Sequence, residues 1–195
     1  MAMKNKAKTI IVMSSPSGGG KSTIAKHLMK LSPELRFSVS ATTRKMRPGE
    51  VHGKDYYFLT RNEFQERIDE GGLIEYEEIF GNYYGTLKHI VQSSIIKGEK
   101  TLYDVDVKGA RSLKDAFPDD TLTIFIKPPN RETLEKRLRK RDTETEESLT
   151  KRLARVDEEM AYEREFDIVI VNDKLEVAFA EIEKVAQEYG ICSLK

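Results

Sequence analysis

Residues 15–23 form a glycine-rich loop whose composition suits phosphate binding. They read Ser-Pro-Ser-Gly-Gly-Gly-Lys-Ser-Thr and follow the apolar run Ile10-Ile11-Val12-Met13. Glycines allow backbone N–H groups to point at phosphate oxygens, and the helix predicted to follow adds its positive N-terminal end. In the pattern G-x-x-x-x-G-K-[ST], the lysine reaches the β- and γ-phosphates and the hydroxyl holds Mg²⁺. Here these residues are Lys21 and Ser22, while Ser15 replaces the first glycine without removing a phosphate ligand. Strand, loop and helix in this order predict a phosphate site.

Two arginines, Arg44 and Arg47, form a second candidate anion site in a segment that contains proline and glycine. A guanidinium group binds phosphate bidentately, so two of them in one loop could converge on a dianion. Taken alone, this segment is more typical of a solvated basic loop. The hydroxyls of Tyr56 and Tyr84 could complete a phosphate site. Both tyrosines could equally be half-buried strand residues with exposed hydroxyls.

The elements that must position these residues alternate between strand and helix. Apolar, β-branched runs predict core strands at 9–14, 101–107, 121–126 and 168–171. Helical patterns lie between and after them, at 21–31, 88–97, 108–116, 131–139, 148–165 and 175–189. This alternation predicts an α/β fold in which helices cover both faces of a parallel sheet. Because ligands bind at the carboxyl ends of such strands, we expect one cleft bordered by 14–23, 40–47, 104–106 and 172–173.

The segment from about 38 to about 89 interrupts this alternation. It contains a predicted helix at 61–70, a basic loop at 42–54 and several short strands, at 37–40, 56–59, 73–79 and 83–86. We therefore expect one domain over 1–195, with a small antiparallel lobe inserted into a core formed by about 8–37, 90–130 and 164–192. The polar segment 142–147 is expected to be a turn between two helices.

Composition narrows the class of protein. The chain has 195 residues, and its 33 basic and 33 acidic residues balance, so nothing favours a long nucleic-acid partner. Its one cysteine, Cys192, excludes an internal disulfide and is typical of a reducing compartment. The longest early apolar run is too short for a signal-peptide core or a membrane span. We therefore expect a cytoplasmic location and no membrane partner. The oligomeric state, monomer or homodimer, stays open.

An ordered set of segments resembles the guanylate kinase family. The segments are Ser38-Val39-Ser40-Ala41-Thr42-Thr43-Arg44, Pro48-Gly49-Glu50, Gly53-Lys54-Asp55-Tyr56, Gly81-Asn82-Tyr83-Tyr84-Gly85-Thr86 and Thr143-Glu144-Thr145-Glu146-Glu147-Ser148. The resemblance extends from about Thr9 to about Tyr189. It implies Mg²⁺-dependent transfer of the γ-phosphoryl group of ATP to GMP, and to dGMP, giving ADP and GDP. It also implies that the P-loop sheet holds ATP, that the mixed α/β lobe at about 38–89 holds GMP, and that a mobile helical lid at about 131–163 closes over ATP.

The same resemblance implies roles for individual residues. The GMP phosphate would be held by Arg44, Arg47, Tyr56 and Tyr84, and guanine by Ser40, Glu75, Thr86 and Asp106. ATP would be bound by the loop residues Ser15, Pro16, Ser17, Gly18, Gly19, Gly20, Lys21, Ser22 and Thr23, and by Arg137, Asn172 and Asp173. Catalysis would depend on Lys21, Arg47, Arg141 and Arg152. Mg²⁺ would lie near Ser22 and Asp104, bound through water.

The residue chemistry agrees with this assignment. Guanine presents N1–H and N2–H₂ as adjacent donors, and a carboxylate accepts from both, so Glu75 and Asp106 would favour GMP over AMP. Glu75 by itself could also be a surface strand residue. None of His27, His52 and His89 stands in a nucleophile–base pattern, and a phosphate oxygen with a second pKa of about 6 needs no base to act as nucleophile. Two alternatives are a catalytically inactive protein-binding module, and a kinase for AMP, UMP or dTMP.

Overall fold

The computed structural model describes residues 8–79, 81–139 and 146–192, and for 146–152 it describes the backbone alone. The strands are β1 (Ile10–Ser14), β2 (Arg36–Phe37), β3 (Ala41–Thr42), β4 (Tyr57–Phe58), β5 (Leu73–Ile79), β6 (Asn82–Leu87), β7 (Thr101–Asp104), β8 (Thr121–Lys127) and β9 (Ile168–Val171). The helices are α1 (Lys21–Leu31), α2 (Arg61–Asp69), α3 (Lys88–Lys97), α4 (Val107–Ala116), α5 (Arg131–Arg139), α6 (Glu146–Ala161) and α7 (Leu175–Glu188), and a 3₁₀ turn spans Tyr162–Glu165.

Within the described residues, five strands form a parallel sheet in the order β2-β7-β1-β8-β9. The central strand β1 is buried along its whole length, and its alternate side chains pack on opposite faces of the sheet. Ile11 and Met13 pack with residues of α1 and α7, whereas Ile10 and Val12 pack with residues of α3 and α4. Helices therefore cover both faces, which confirms the predicted α/β class. The glycine-rich loop leaves the sheet at its middle strand.

A second sheet, in the order β4-β3-β6-β5, is formed by residues between 41 and 87. The pairs β3–β6 and β5–β6 are antiparallel, as expected for this lobe, whereas β3 and β4 run parallel, which was not expected. Phe64 of α2 is fully buried beneath this sheet with Ala41 and Leu87. The start of α2 is fixed by a capping box, in which Thr60 and Glu63 satisfy each other's backbone N–H groups.

Most element boundaries lie within one residue of those predicted, and the larger differences have physical causes. The predicted strand 37–40 lies at Arg36–Phe37, and β3 forms where the loop 42–54 was expected to begin. Strand β7 ends at Asp104 rather than at 107, because the side chain of Asp106 accepts a hydrogen bond from the Gly109 N–H and begins α4 at Val107. The predicted helix 148–165 is α6 followed by the 3₁₀ turn, and α6 already begins at Glu146, inside the expected turn. None of the described helices has the length and apolar character needed to cross a membrane.

Candidate active site

The glycine-rich loop is shaped by contacts that leave no room for side chains. Gly18 and Gly20 both adopt positive φ angles, 86° and 92°, which favour glycine. A Cβ atom on Gly18 would lie 3.1 Å from the Leu138 side chain of α5, and one on Gly20 would collide with the side-chain amide of Asn172. Gly20 is also the N-cap of α1, so the loop delivers its backbone directly to the helix N-terminus. This is the geometry that binds phosphate groups.

Lys21 opens α1 and points toward the end of β7. Its ammonium group forms an ion pair with Asp104 and donates a hydrogen bond to the Val105 carbonyl at 3.2 Å. The next residue, Ser22, is exposed. Its hydroxyl and the Asp104 carboxylate are oxygen donors of the kind that Mg²⁺ prefers, and Mg²⁺ commonly takes its remaining ligands from water and substrate phosphates. The residues present therefore fit a magnesium ion bound together with a polyphosphate.

Asn172 and Arg137 lie against the loop. The Asn172 side-chain amide donates to the Gly19 carbonyl at 2.9 Å, and Arg137 Nη2 donates to the Asn172 backbone carbonyl at 2.9 Å. Two further atoms, Arg137 Nη1 and Asn172 Oδ1, are buried, and the described residues give neither of them a hydrogen-bond partner. Such buried polar atoms usually have partners, so these two are suited to contact a ligand. The neighbouring Asp173 is exposed.

Glu75 and Asp106 lie on the other side of the cleft. Glu75 stands on β5 just after an irregularity in the β5–β6 register, opposite Thr86, whose hydroxyl donates to its carboxylate at 2.5 Å. The Glu75 pKa is raised from its ordinary value of 4.5 to about 7. Burial is the largest cause, the Thr86 hydrogen bond opposes the rise, and the charges of Asp106 and Glu77 contribute to it. A partly buried carboxylate with so high a pKa is typical of a functional site.

A basic and aromatic group lies at the far end of the second sheet. Arg44 forms a bidentate pair with Glu50 at 3.0 and 2.7 Å, and its guanidinium lies 5.3 Å from the centre of the Tyr56 ring. Tyr56 and Tyr84 meet edge to face, with ring centres 6.1 Å apart. Arg47 is exposed and donates its backbone N–H to Glu50 at 2.7 Å. Hydrogen bonds from Arg44 and Arg47 hold the Glu50 pKa below its ordinary value.

One cleft of about 850 Å³ connects the glycine-rich loop with the two carboxylates and the two tyrosines, whereas Arg137, Asn172 and Asp173 lie outside its lining. Its lining includes loop residues, the carboxylates of Glu75 and Asp106 and residues of the aromatic group: Ser15, Pro16, Ser17, Gly18, Gly20, Lys21, Ser22, Ser40, Tyr56, Glu75, Tyr84, Asp104 and Asp106. Thr86 is buried behind Glu75, with 3% of its surface exposed. Arg44 and Arg47 lie outside the lining of this cleft. Of the two remaining arginines, Arg141 lies outside the described residues, and Arg152 belongs to α6 but its side chain is not described.

The sequence did not single out three acidic residues and one arginine that contact these groups. Glu50 holds Arg44, as described above. On α6, Arg155 contacts Glu159 at 3.0 Å, and Arg155 also reaches Glu77 of β5 at 3.0 Å. The spacing of four between Arg155 and Glu159 is a sequence signal for a helical ion pair. It gives no sign that the pair faces the cleft, because that depends on how α6 packs.

Comparison with known proteins places this geometry in a family. A family model described as guanylate kinase matches residues 6–189. The guanylate kinase of Chlorobaculum tepidum is 52% identical over 85% of this chain and 85% of its own length. That of Chlorobium luteolum is 49% identical over 87% of this chain and 86% of its own length. The crystal structure of guanylate kinase from Anaplasma phagocytophilum superposes with a TM-score of 0.71 at 32% identity, covering 98% of this chain and 91% of that one.

Proposed function

The chain belongs to the guanylate kinase family and is an ATP:GMP phosphotransferase, and we propose that its cleft aligns GMP with ATP for direct transfer of the γ-phosphoryl group, with Mg²⁺ as cofactor. The observation that supports this proposal is the composition of one cleft. A glycine-rich loop at a helix N-terminus lies on one side, and two carboxylates suited to guanine lie on the other. The products of the reaction are ADP and GDP.

On the acceptor side, we assign guanine to Glu75 and Asp106, with Ser40 and Thr86 beside them. Thr86 fixes the orientation of the Glu75 carboxylate through its hydroxyl, and Asp106 is held by the Gly109 N–H. Guanine N1–H and N2–H₂ would replace water as donors to these acids, which AMP cannot do. We assign the GMP phosphate to Arg44, Arg47, Tyr56 and Tyr84. The Arg44–Glu50 pair supports this role, because it holds the guanidinium beside both tyrosine rings.

On the donor side, the ATP phosphates would lie on the loop residues 15–23 with Lys21 reaching the terminal phosphates. The ion pair with Asp104 supports this role, because it directs the Lys21 ammonium group to the carboxyl end of β7. Arg137, Asn172 and Asp173 would complete the nucleotide site, and the buried Arg137 Nη1 and Asn172 Oδ1 atoms support this placement. Ser22 and Asp104 would hold Mg²⁺, which when bound neutralises charge on the phosphate oxygens.

Transfer then requires alignment and charge stabilisation rather than a base. The GMP phosphate oxygen attacks the γ-phosphorus of ATP, and the bond to the β-phosphate oxygen breaks. We propose that Lys21, Arg47, Arg141 and Arg152 stabilise the charge that develops on the transferred group. We further propose that 38–89 form the GMP lobe and 131–163 a lid that excludes water as a competing acceptor, and that the protein works in the cytoplasm.

A screen of acceptors tests the proposed chemistry. ADP release is measured by a coupled assay with ATP, Mg²⁺ and, in turn, GMP, dGMP, AMP, UMP and dTMP. We expect kcat/KM for GMP to exceed that for AMP by on the order of 10⁴, the discrimination reached when a site is built around hydrogen-bond donors that the wrong ligand lacks. Equal use of GMP and AMP would contradict the role given to the two carboxylates. No ADP release with any acceptor would instead favour a non-catalytic binding module.

A further inference from the structure

Arg155 of α6 connects three parts of the molecule. Its Nη2 atom donates to Glu77 of β5 at 3.0 Å and lies 3.7 Å from Asp106, which caps α4. Its Nε atom donates to Glu159 at 3.0 Å, and the other oxygen of Glu159 accepts a hydrogen bond from the Ser17 N–H of the glycine-rich loop at 3.3 Å. A continuous chain of polar contacts therefore runs from the second sheet, through α6, to the phosphate loop.

The two ends of this series of polar contacts lie at the two nucleotide sites assigned above. Glu77 lies on the same strand as Glu75, two residues away, so both side chains are on one face of β5. Ser17 belongs to the loop assigned to ATP. Arg155 and Glu159 lie one helical turn apart on the same face of α6, so a displacement of α6 moves both contacts together. The link is thus between elements that contact different nucleotides.

Arg155 lies among acidic side chains and reduces the repulsion between them. Four carboxylates line the cleft, those of Glu75, Glu77, Asp106 and Glu159, and Arg155 is within 3.7 Å of three of them. Glu159 is 8% exposed, and it contacts Nε of Arg155 whereas Glu77 contacts Nη2. Without the guanidinium, like charges on β5 and α6 would repel each other across the cleft. The contact therefore favours the arrangement in which β5 and α6 are close.

We propose that Arg155 is a positioning residue that couples the binding of GMP to the binding of ATP, by joining the strand that contacts guanine to the phosphate loop through Glu77 and Glu159. This inference rests on the proposed function. GMP bound against β5 holds Glu77 and therefore Arg155 in place, and Glu159 then orders the glycine-rich loop through the Ser17 N–H, which lowers the entropy cost of ordering the loop when ATP binds. The coupling is reciprocal, so each nucleotide tightens the other by the same factor.

Calorimetric titration measures this coupling without catalysis. The Kd for GMP is determined alone and with a saturating, non-hydrolysable β,γ-methylene analogue of ATP and Mg²⁺, and the ratio of the two Kd values is the coupling factor. We expect a ratio above one in the unmodified protein. In Arg155→Ala, and separately in Glu77→Gln, we expect the ratio to fall by roughly two- to fivefold, the range that partly exposed ion pairs support. The double variant should show no further fall, because both changes break one link.

The matched control is Arg131→Ala. Arg131 Nη1 donates to both carboxylate oxygens of Asp157 at 2.8 Å, but this pair joins α5 to α6 and does not reach β5. We expect its coupling factor to equal that of the unmodified protein. A ratio of one in the unmodified protein, an unchanged ratio in Arg155→Ala, or an equal fall in Arg131→Ala would overturn the role of Arg155. Failure of the unmodified protein to bind GMP would contradict the proposed function itself, which keeps the two outcomes distinct.

Discussion

Replacing Glu75 by glutamine should make the protein more stable at alkaline pH while weakening its use of GMP. Burial raises the Glu75 pKa from 4.5 to about 7, so the folded protein keeps a proton that the unfolded chain has already released. Between these two pH values the unfolded state binds fewer protons, and stability falls as the pH rises through this window. At 1.36 kcal/mol per pH unit, the full cost above pH 7 is about 3 kcal/mol. Glutamine has no charge to bury and can still accept the Thr86 hydrogen bond.

The expected gain in stability is smaller than this limit, because Glu75 is only half-buried. We expect roughly 2 kcal/mol at pH 8, which corresponds to about 4–8 °C in Tm for a domain of this size. At pH 5 the difference should shrink to about a quarter of its value at pH 8, since Glu75 is then protonated in the folded protein and the pH is only about half a unit above the unfolded value of 4.5. Thermal unfolding of both proteins without nucleotide, from pH 5 to pH 8.5, measures this dependence.

The control is Glu78→Gln, a change of the same kind on the same strand. Glu78 is exposed and lies 3.7 Å from Arg61, so its Tm difference should be small and should not grow between pH 5 and 8.5. A Glu75→Gln variant that is less stable than the unmodified protein at pH 8, or equally shifted at both pH values, would refute the explanation based on burial of charge.

The raised Glu75 pKa should also make the binding of GMP depend on pH. A guanine ring that donates two hydrogen bonds needs the ionised carboxylate, and with a pKa of about 7 only about a tenth of Glu75 is ionised at pH 6. We expect the KM for GMP to rise about tenfold from pH 8 to pH 6. The GMP phosphate, whose second pKa is about 6, should account for only about twofold, and Glu75→Gln should retain that smaller change alone. A KM independent of pH over this range would contradict the assignment of Glu75 to the base.

Two further substitutions test other parts of the site. Lys21→Met should lower kcat by roughly 10²–10³-fold, the loss expected for one donor to the transition state, while calorimetry still detects GMP binding; near-normal turnover would contradict the role of Lys21. Gly109→Ala would place a Cβ atom 3.2 Å from Asp106 Oδ1, 3.2 Å from Val105 Cβ and 3.3 Å from Glu75 Cδ, so the KM for GMP should rise severalfold. Any fall in Tm should be small, because alanine favours helix by about 1 kcal/mol and offsets part of the strain of these contacts. Ser112→Ala, on the same helix, is the control, and an equal KM for GMP in Gly109→Ala would show that these contacts do not hold the two acids in place.

The local sequence pattern was sufficient to predict much of the fold and the glycine-rich loop. Strands β1, β8 and β9 are short apolar runs between turns, and helix α1 follows a loop in which Gly18 and Gly20 have the positive φ angles that glycine allows. These features depend on neighbours in sequence, which is why the order strand, loop, helix was predictable. The resemblance to the guanylate kinase family could be recognised from the sequence because each segment that carries it is a contiguous run of residues. The family model, which matches residues 6–189, confirms it.

Tertiary structure decided what depends on distant residues. Strands β2 and β3 have two residues each and depend on their partners, β7 for β2 and both β4 and β6 for β3; no periodicity can show in so short a run. The Glu75 pKa depends on burial beside Asp106, which is 31 positions away in sequence. In the sequence, Arg155 is one of many charged residues on a predicted helix, and only the packing of α6 shows that it contacts both Glu77 and Glu159. Sequence thus specified which groups the chain has, whereas the fold determined which of them share a cleft, since electrostatic and hydrogen-bond energies depend on distance and exposure rather than on order along the chain.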